Sequence, residues 1–391
     1  MPQAVIVDAV RSPMGRGKAA GALAPLHPAE LLGQVLKALA ERNRLDPSEV
    51  DDVLVGCVTL SGEQAGTPGR QAVLAAGWPV DVPAVSIERK CGSGQQAVEF
   101  AAAGVTAGLY DVAIAAGVES MSRVPIGSNR QGADVTGPAV RERFPDLVPQ
   151  GVAAELVAAK WGLSRAEQDE YAARSHARAA EARRCGAFDG EIVPVEVSGS
   201  VVDRDESIRE GTTAQRLADL SPAFRTDALA QRFPHVDWSV TAGNSSQITD
   251  GAAALLVMSE EKAAALGLRP RARIVASAVC GSDPELMLTG PIPATRRVLE
   301  RAKLAPDDID TFEVNEAFAS VPLAWQREFA VPEEKLNPRG GAIALGHPLG
   351  ASGARLMTTM LAHLEATGGR FGLQTMCEAG GMANATVLER L

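Results

Sequence analysis

Cys91-Gly92-Ser93-Gly94-Gln95-Gln96-Ala97 and His347-Pro348-Leu349-Gly350-Ala351-Ser352-Gly353-Ala354 stand at matching places in the two halves of a 391-residue chain. Each opens a long apolar helical pattern. The first is carried on by Ala101, Ala102 and Val105, the second reaches Leu364. Three further pairs recur in the same order. Ala4-Val5-Ile6-Val7-Asp8-Ala9-Val10 returns as Ala272-Arg273-Ile274-Val275-Ala276-Ser277-Ala278-Val279. Leu45-Asp46-Pro47-Ser48-Glu49-Val50-Asp51 returns as Leu304-Ala305-Pro306-Asp307-Asp308-Ile309-Asp310, each copy lying between an amphipathic helix (31–40, 294–302) and a strand-like run (53–55, 311–314). Val112-Ala113-Ile114-Ala115-Ala116-Gly117 matches Leu373-Gln374-Thr375-Met376-Cys377. One such echo is common; four in register argue for an α/β fold made by duplicating a βαβ-type half, each half a mostly parallel sheet with covering helices. Halves packed face to face would bring the two glycine-flanked turns close to a shared pseudo-twofold axis.

Between the halves the character changes. Glycine-, proline- and charge-rich loops over 123–149 lead into helical patterns at 151–160 and 164–185, with Ser164 as N-cap and Glu167 three residues on. The charges over 165–184 read as a solvated helix face. A strand-like run over 191–197 and a turn-rich stretch over 211–222 follow, and apolar 252–258 looks like a strand returning to the first half. The expected domains are 1–120 with 244–268 as the first half, 121–243 as an inserted loop domain, and 269–391 as the second half.

Hydrophobic residues make up 46% of the chain and aromatics 4%, so its core is built from Ala, Val and Leu; with 38 glycines this suits closely packed helices on a sheet. A formal charge of -10 argues against nucleic acid as a general partner and against a basic membrane-binding face, while leaving room for a local basic pocket. No apolar run is long enough to span a bilayer, and no charged and apolar leader precedes the first strand-like run. Five cysteines without CxxC spacing fit a reducing, cytoplasmic compartment and no zinc or other metal site.

Cys91 lies where an extended run (84–87) meets its helix, so the unpaired N–H groups and the dipole of the helix start should favour thiolate. Taken alone it is equally a small buried residue. Its repeat position opposite His347 turns the balance toward a nucleophile and base pair. Glycines 340, 341 and 346 around His347 argue for close backbone approach to a ligand. Cys377, before Gly380 and Gly381, reads either as core or as a thiol that shuttles protons. Asn315 offers an amide to water or an oxyanion and also suits a helix N-cap; Glu316 could orient a partner. Cys57, Cys185 and Cys280 lack motif context and read as structural or surface thiols, and His27, His176, His235 and His363 carry no special reading.

Together, Cys91-Gly92-Ser93-Gly94, Gly243-Asn244-Ser245-Ser246, Asn315-Glu316-Ala317-Phe318-Ala319, Gly340-Gly341-Ala342-Ile343-Ala344-Leu345-Gly346-His347-Pro348 and Cys377-Glu378-Ala379-Gly380-Gly381 resemble the signature blocks of the thiolases, in order and over essentially the full length. Ser221-Pro222-Ala223-Phe224 fits as well. The resemblance implies a five-layered α/β/α/β/α fold and CoA-dependent thiolytic cleavage of 3-ketoacyl-CoA, reversible as a Claisen condensation. It implies Cys91 as the acylated nucleophile, His347 as its base and Cys377 as the acid/base at the α-carbon. Asn315 would hold a water that joins His347 in one oxyanion hole, and the N–H groups of Cys91 and Ala379 would make the other. Ser246, Ala317 and Phe318 match contacts to the pantetheine arm, and Arg225 is a candidate for the nucleotide. No cofactor is bound permanently; coenzyme A is a co-substrate, and a homodimer or homotetramer is expected.

This chain departs from the family at five places. Ser86-Ile87-Glu88-Arg89-Lys90 precedes Cys91, Ala379 replaces a usual glycine, Gln247 stands where glycine is common, Gln150-Gly151 replaces Met-Gly, and Ser221 stands where some members are basic. These bear on the substrate. Other readings are an acetoacetyl-CoA-forming acetyltransferase, a ketoacyl synthase, which usually has histidine in place of Cys377, and a non-catalytic acyl-CoA-binding relative.

Overall fold

The computed structural model describes residues 2–391. In the first half the strands are β1 (Ala4–Arg11), β2 (Asp52–Gly56), β3 (Ala84–Ile87), β4 (Val112–Ser120) and β5 (Thr249–Ser259). The second half supplies β6 (Ala272–Gly281), β7 (Thr311–Val314), β8 (Phe371–Glu378) and β9 (Met382–Arg390). They lie side by side in the order β3-β2-β4-β5-β1-β6-β9-β8-β7. The halves join at β1 and β6 through only Val5 opposite Arg273 and Ile6 opposite Ala272.

The duplication is visible in the ladders. β2 pairs with β4 in parallel, as β7 does with β8; β4 with β5 and β8 with β9 are antiparallel, as are β5 with β1 and β9 with β6. Edge strand β3 has its counterpart in a single parallel bridge from Phe312 to Leu336.

The expectation of mostly parallel halves is therefore corrected: each half is mixed. Ala379, Gly380 and Gly381 alone link β8 to β9, and so short a link can only reverse the chain. Gly380 and Gly381 take φ of 92° and 77°, whereas Ala379 is not among the residues with positive φ, so its methyl is tolerated. In the first half the same reversal, from β4 to β5, is interrupted by residues 121–248. The inserted region thus occupies a hairpin turn.

Five layers follow from the packing. Helices α1 (Pro28–Asn43) and α2 (Pro68–Ala75) cover the outer face of the first half, where Leu32, Leu36 and Leu39 meet Val53, Ile114 and Leu256. Helices α6 (Pro291–Ala302) and α7 (Ser320–Phe329) cover the second, where Val298 and Trp325 meet Phe312 and Leu373. Between the sheets lie α3 (Ser93–Ala107) and α8 (Leu349–Thr367), whose Ala97, Ala101, Ala354 and Met357 pack among Leu54, Leu255 and Leu388. Each fully buried Leu or Val contributes about 1.5–3 kcal/mol. Small residues let these two helices approach: a Cβ on Gly353 would lie 2.1 Å from the Gln95 nitrogen.

In the inserted region the two long helices are α4 (Gln150–Lys160) and α5 (Arg165–Arg184), and Ser164 and Glu167 close the reciprocal capping box expected of them. The second is less solvated than its charges suggest, since Gln168, Asp169 and His176 are buried. The strand expected over 191–197 shrinks to Val195–Val197, hairpinned with Ser200–Val202. Pro194 has no N–H for a longer ladder, and Ile192 pairs instead with Arg11.

Candidate active site

The Cys91 turn is laced by its neighbour in the helix. Ser93 Oγ donates to Lys90 O at 2.6 Å and accepts from Arg89 N at 2.8 Å. Lys90 is driven to a φ of 48°. Gly92 caps the helix and leaves Cys91 just outside it, 5% exposed. Here the expected thiolate is corrected. Burial first, then Glu378, push the Cys91 thiol up to about 12, outweighing the Cys91 backbone N–H and Lys90. In the free protein Cys91 is therefore a neutral thiol.

His347 arrives from the other half. Gly346 takes a φ of 93° against the Thr249 side chain, where any Cβ would collide, and the His347 N–H donates to Gln247 O at 3.0 Å and Thr249 Oγ1 at 3.1 Å. Its Nδ1 meets Ser352 Oγ at 2.6 Å, and that hydroxyl donates to Pro348 O at 2.8 Å. Ser352 thus has only lone pairs for Nδ1, so Nδ1 carries the proton and Nε2 is the free base. Burial, with Arg355 adding to it, lowers His347 to about 3 and keeps the imidazole neutral.

Asn315 Nδ2 lies 3.4 Å from His347 Nε2, and its Oδ1 is buried without a hydrogen-bond partner among the described residues. The N-cap alternative for Asn315 is overturned, because the next helix begins at Ser320. Glu316 accepts from Tyr171, Ser175, Asn337 and the Ile343 N–H, which ties the glycine-rich run carrying His347 to helix Arg165–Arg184.

A cavity of about 360 Å³ brings Cys91 and His347 together with Ser246, Ala317 and Phe318; Met121, Phe224 and Leu349 supply apolar wall. The Ser246 N–H donates to Ala317 O at 3.0 Å, which joins two of the sequence blocks. Cys377 is fully buried at the end of β8; burial, then Cys91 and Glu378, push its thiol well up. Ala379 sits in the adjoining hairpin turn. Arg225 is not among the cavity-lining residues, and its one ion pair among the described residues is with Asp227, at 3.5 Å.

Two contributors carry no sequence signal of their own. Ser352 reads as one more small residue in an Ala- and Gly-rich helix. Glu119 accepts from the Val58, Thr59 and Gly350 N–H groups and so clamps the start of α8 to the first half. Only the repeat, which places 352 one turn beyond the His347 turn, could have pointed to the serine.

Two family models, Thiolase, N-terminal domain (residues 4–261) and Thiolase, C-terminal domain (residues 268–390), cover nearly all of the chain. It is 46% identical to steroid 3-ketoacyl-CoA thiolase FadA6 of Mycobacterium tuberculosis, over 100% of this chain and 95% of that one. It is 44% identical to a 3-ketoacyl-CoA thiolase of Marinobacter nauticus, over 99% and 98%. The crystal structure of the Bacillus anthracis acetyl-CoA acetyltransferase matches with a TM-score of 0.89 at 39% identity, covering 100% of this chain and 99% of that one. With both halves matched and relatives this similar over the full length, the chain belongs to the thiolase family.

Proposed function

We propose that this acyltransferase cleaves 3-ketoacyl-CoA with coenzyme A through an acyl-Cys91 intermediate. His347 Nε2 takes the Cys91 proton as the sulfur attacks the 3-keto carbon. The bond between C2 and C3 breaks, and Cys377 gives its proton to C2 of the departing acetyl-CoA enolate. The Cys377 thiolate then takes the proton of the incoming CoA thiol, whose sulfur removes the acyl group, and Cys91 regains its proton from His347. Both oxyanions need fixed donors, each worth roughly 3 kcal/mol in comparable sites. His347 with an Asn315-held water, and the N–H groups of Cys91 and Ala379, are assigned to them. The observation that carries this reading is the unprotonated Nε2 of a neutral His347, with Asn315 Nδ2 at 3.4 Å, on the cavity that also holds Cys91.

Ser246, Ala317 and Phe318 are read as contacts to pantetheine, and half-exposed Arg225 as a contact to a CoA phosphate. The apolar wall of Met121, Ile126, Phe224 and Leu349 favours acyl chains longer than acetyl and hence degradation over acetoacetyl-CoA synthesis. Edge strand β3, with exposed Val85 and the neighbouring exposed Phe100, is the surface through which a second copy would pair. No helix among the described residues is long and apolar enough to cross a membrane. Five free cysteines suit the cytoplasm.

The deciding experiment incubates the protein with acetyl-CoA, reads intact mass, and then measures thiolysis along a series of 3-ketoacyl-CoA chain lengths. An acetyl adduct on Cys91 and thiolysis that rises beyond the four-carbon substrate are expected. An unmodified Cys91, or turnover that survives Cys91→Ala, would remove the mechanism.

A further inference from the structure

Glu378 ends β8 one residue after Cys377, and the reaction above makes no use of it. Its carboxyl is wholly buried, and neither oxygen meets a hydrogen-bond donor among the described residues. Asn384 on β9 is half satisfied: Nδ2 donates to Gly92 O at 3.2 Å, but its buried Oδ1 also lacks a donor. Both unmatched oxygens converge on Gly92, where a Cβ would lie 2.0 Å from Glu378 Oε1 and 3.0 Å from Asn384 Oδ1. Two acceptors that crowd one point in a buried site repel unless one of them carries a proton, and of these two only the carboxyl can.

We propose that Glu378 is a positioning acid that works protonated: its O–H donates to Asn384 Oδ1, Asn384 Nδ2 holds the Gly92 carbonyl, and the Cys91 turn is thereby fixed for acylation. Ionisation breaks that chain and sets a negative charge beside both reactive sulfurs.

The surroundings favour the acid form. Burial pushes Glu378 up to about 8; Arg89 opposes this, and Glu99 and Glu88 add to it. Arg89, Glu88 and Cys91 face it from the turn before α3, Glu99 from α3, Cys377 from β8 and Cys280 from β6. Arg89 is the one positive group in that set. Glu378 in turn raises Cys91 and Cys377. As pH climbs through about 8 the carboxyl ionises, and making a thiolate at Cys91 becomes harder. Acylation should then slow with rising pH, the reverse of an ordinary cysteine, whose reactivity grows as its thiol ionises.

This inference rests on Cys91 as the acylated residue, and one experiment separates the two. The rate of Cys91 acetylation by acetyl-CoA is followed by intact mass from pH 6.5 to 9.5 on the full chain. The adduct at pH 7 tests the reaction; the shape above pH 8 tests Glu378. In the parent protein the rate should fall up to tenfold per pH unit above about 8. Glu378→Gln keeps a neutral donor that cannot ionise, so the falling limb should vanish; Glu378→Leu, with no donor, should be slow at every pH and also lack the limb. Arg89→Gln should move the limb to higher pH and Glu99→Gln to lower pH, which keeps the idea testable if position 378 tolerates no change. A limb that survives Glu378→Gln, or one abolished by Glu99→Gln, would overturn the proposal.

Discussion

The Ser352 hydroxyl has a single proton, and Pro348 O receives it at 2.8 Å. What remains for His347 Nδ1 at 2.6 Å is a lone pair, which fixes the tautomer and the direction of the base. Ser352→Ala removes that constraint without touching the cavity. Half-time occupancy of the wrong tautomer and a loosened ring should lower kcat roughly 10- to 100-fold, short of the loss from removing a general base altogether. KM for CoA should stay within about twofold, since Ser352 does not line the cavity. Steady-state thiolysis kinetics check both numbers, and an equal loss in kcat and gain in KM would assign Ser352 to substrate binding instead. Cys91 and His347 were legible because repeat and chemistry coincide at those two turns. Their protonation was not: a helix start suggested thiolate, whereas burial, which no local pattern reveals, sets a neutral thiol against a neutral imidazole.

At the scale of elements, the active site depends on how closely α3 and α8 approach. A Cβ on Gly353 would meet the Gln95 nitrogen at 2.1 Å, and backbone on both sides cannot yield as a flexible side chain would. Gly353→Ala should cost about 1–3 kcal/mol and separate the turns that carry Cys91 and His347, so urea unfolding and Cys91 acetylation should both suffer. Gly190→Ala, with no atom within 4 Å of the added methyl and no positive φ, is the control and should stay within about 0.5 kcal/mol. If the two variants unfold alike, the helix contact is looser than described. The glutamines after Cys91, uninformative as letters, belong to this junction. Gln95 Nε2 donates to Thr386 Oγ1 at 2.8 Å and Gln95 Oε1 accepts from Gln374 at 3.0 Å, which stitches α3 to the second half. Such partners lie hundreds of residues away and leave no spacing to read. The repeat likewise predicted two like halves but not their strand directions, because direction is set by the three-residue link after β8 and by an insertion that hides the same hairpin in the first half.

Across the whole molecule, buried groups of both kinds set how stability responds to pH. Burial lowers His347 to about 3, and His176 and His363 to about 4, so below the ordinary 6.5 the unfolded chain holds protons that these rings refuse. That contribution is complete above 6.5 and is lost as pH falls. Burial also raises Glu378 and Glu313 to about 8 and Glu99 to about 7, with Glu155 and Asp250 shifted the same way. For these the folded chain keeps protons that the unfolded chain sheds above about 4.5, so stability declines as pH rises through each folded value. Between about 4.5 and 6.5 the two sets oppose each other, which makes the profile shallower there than above 6.5. Above 6.5 the histidines no longer contribute a slope, and only the carboxyls remain. The melting temperature, followed by calorimetry at constant ionic strength, should therefore be highest between pH 5 and 6.5 and fall from 6.5 to 8.5, each proton released on unfolding adding a slope of about 1.4 kcal/mol per pH unit. Glu378→Gln should make that decline shallower by about one proton. A melting temperature that rises from pH 6.5 to 8.5 would mean these carboxyls are already ionised in the fold, and the protonated link from Glu378 through Asn384 to the Cys91 turn would go with them.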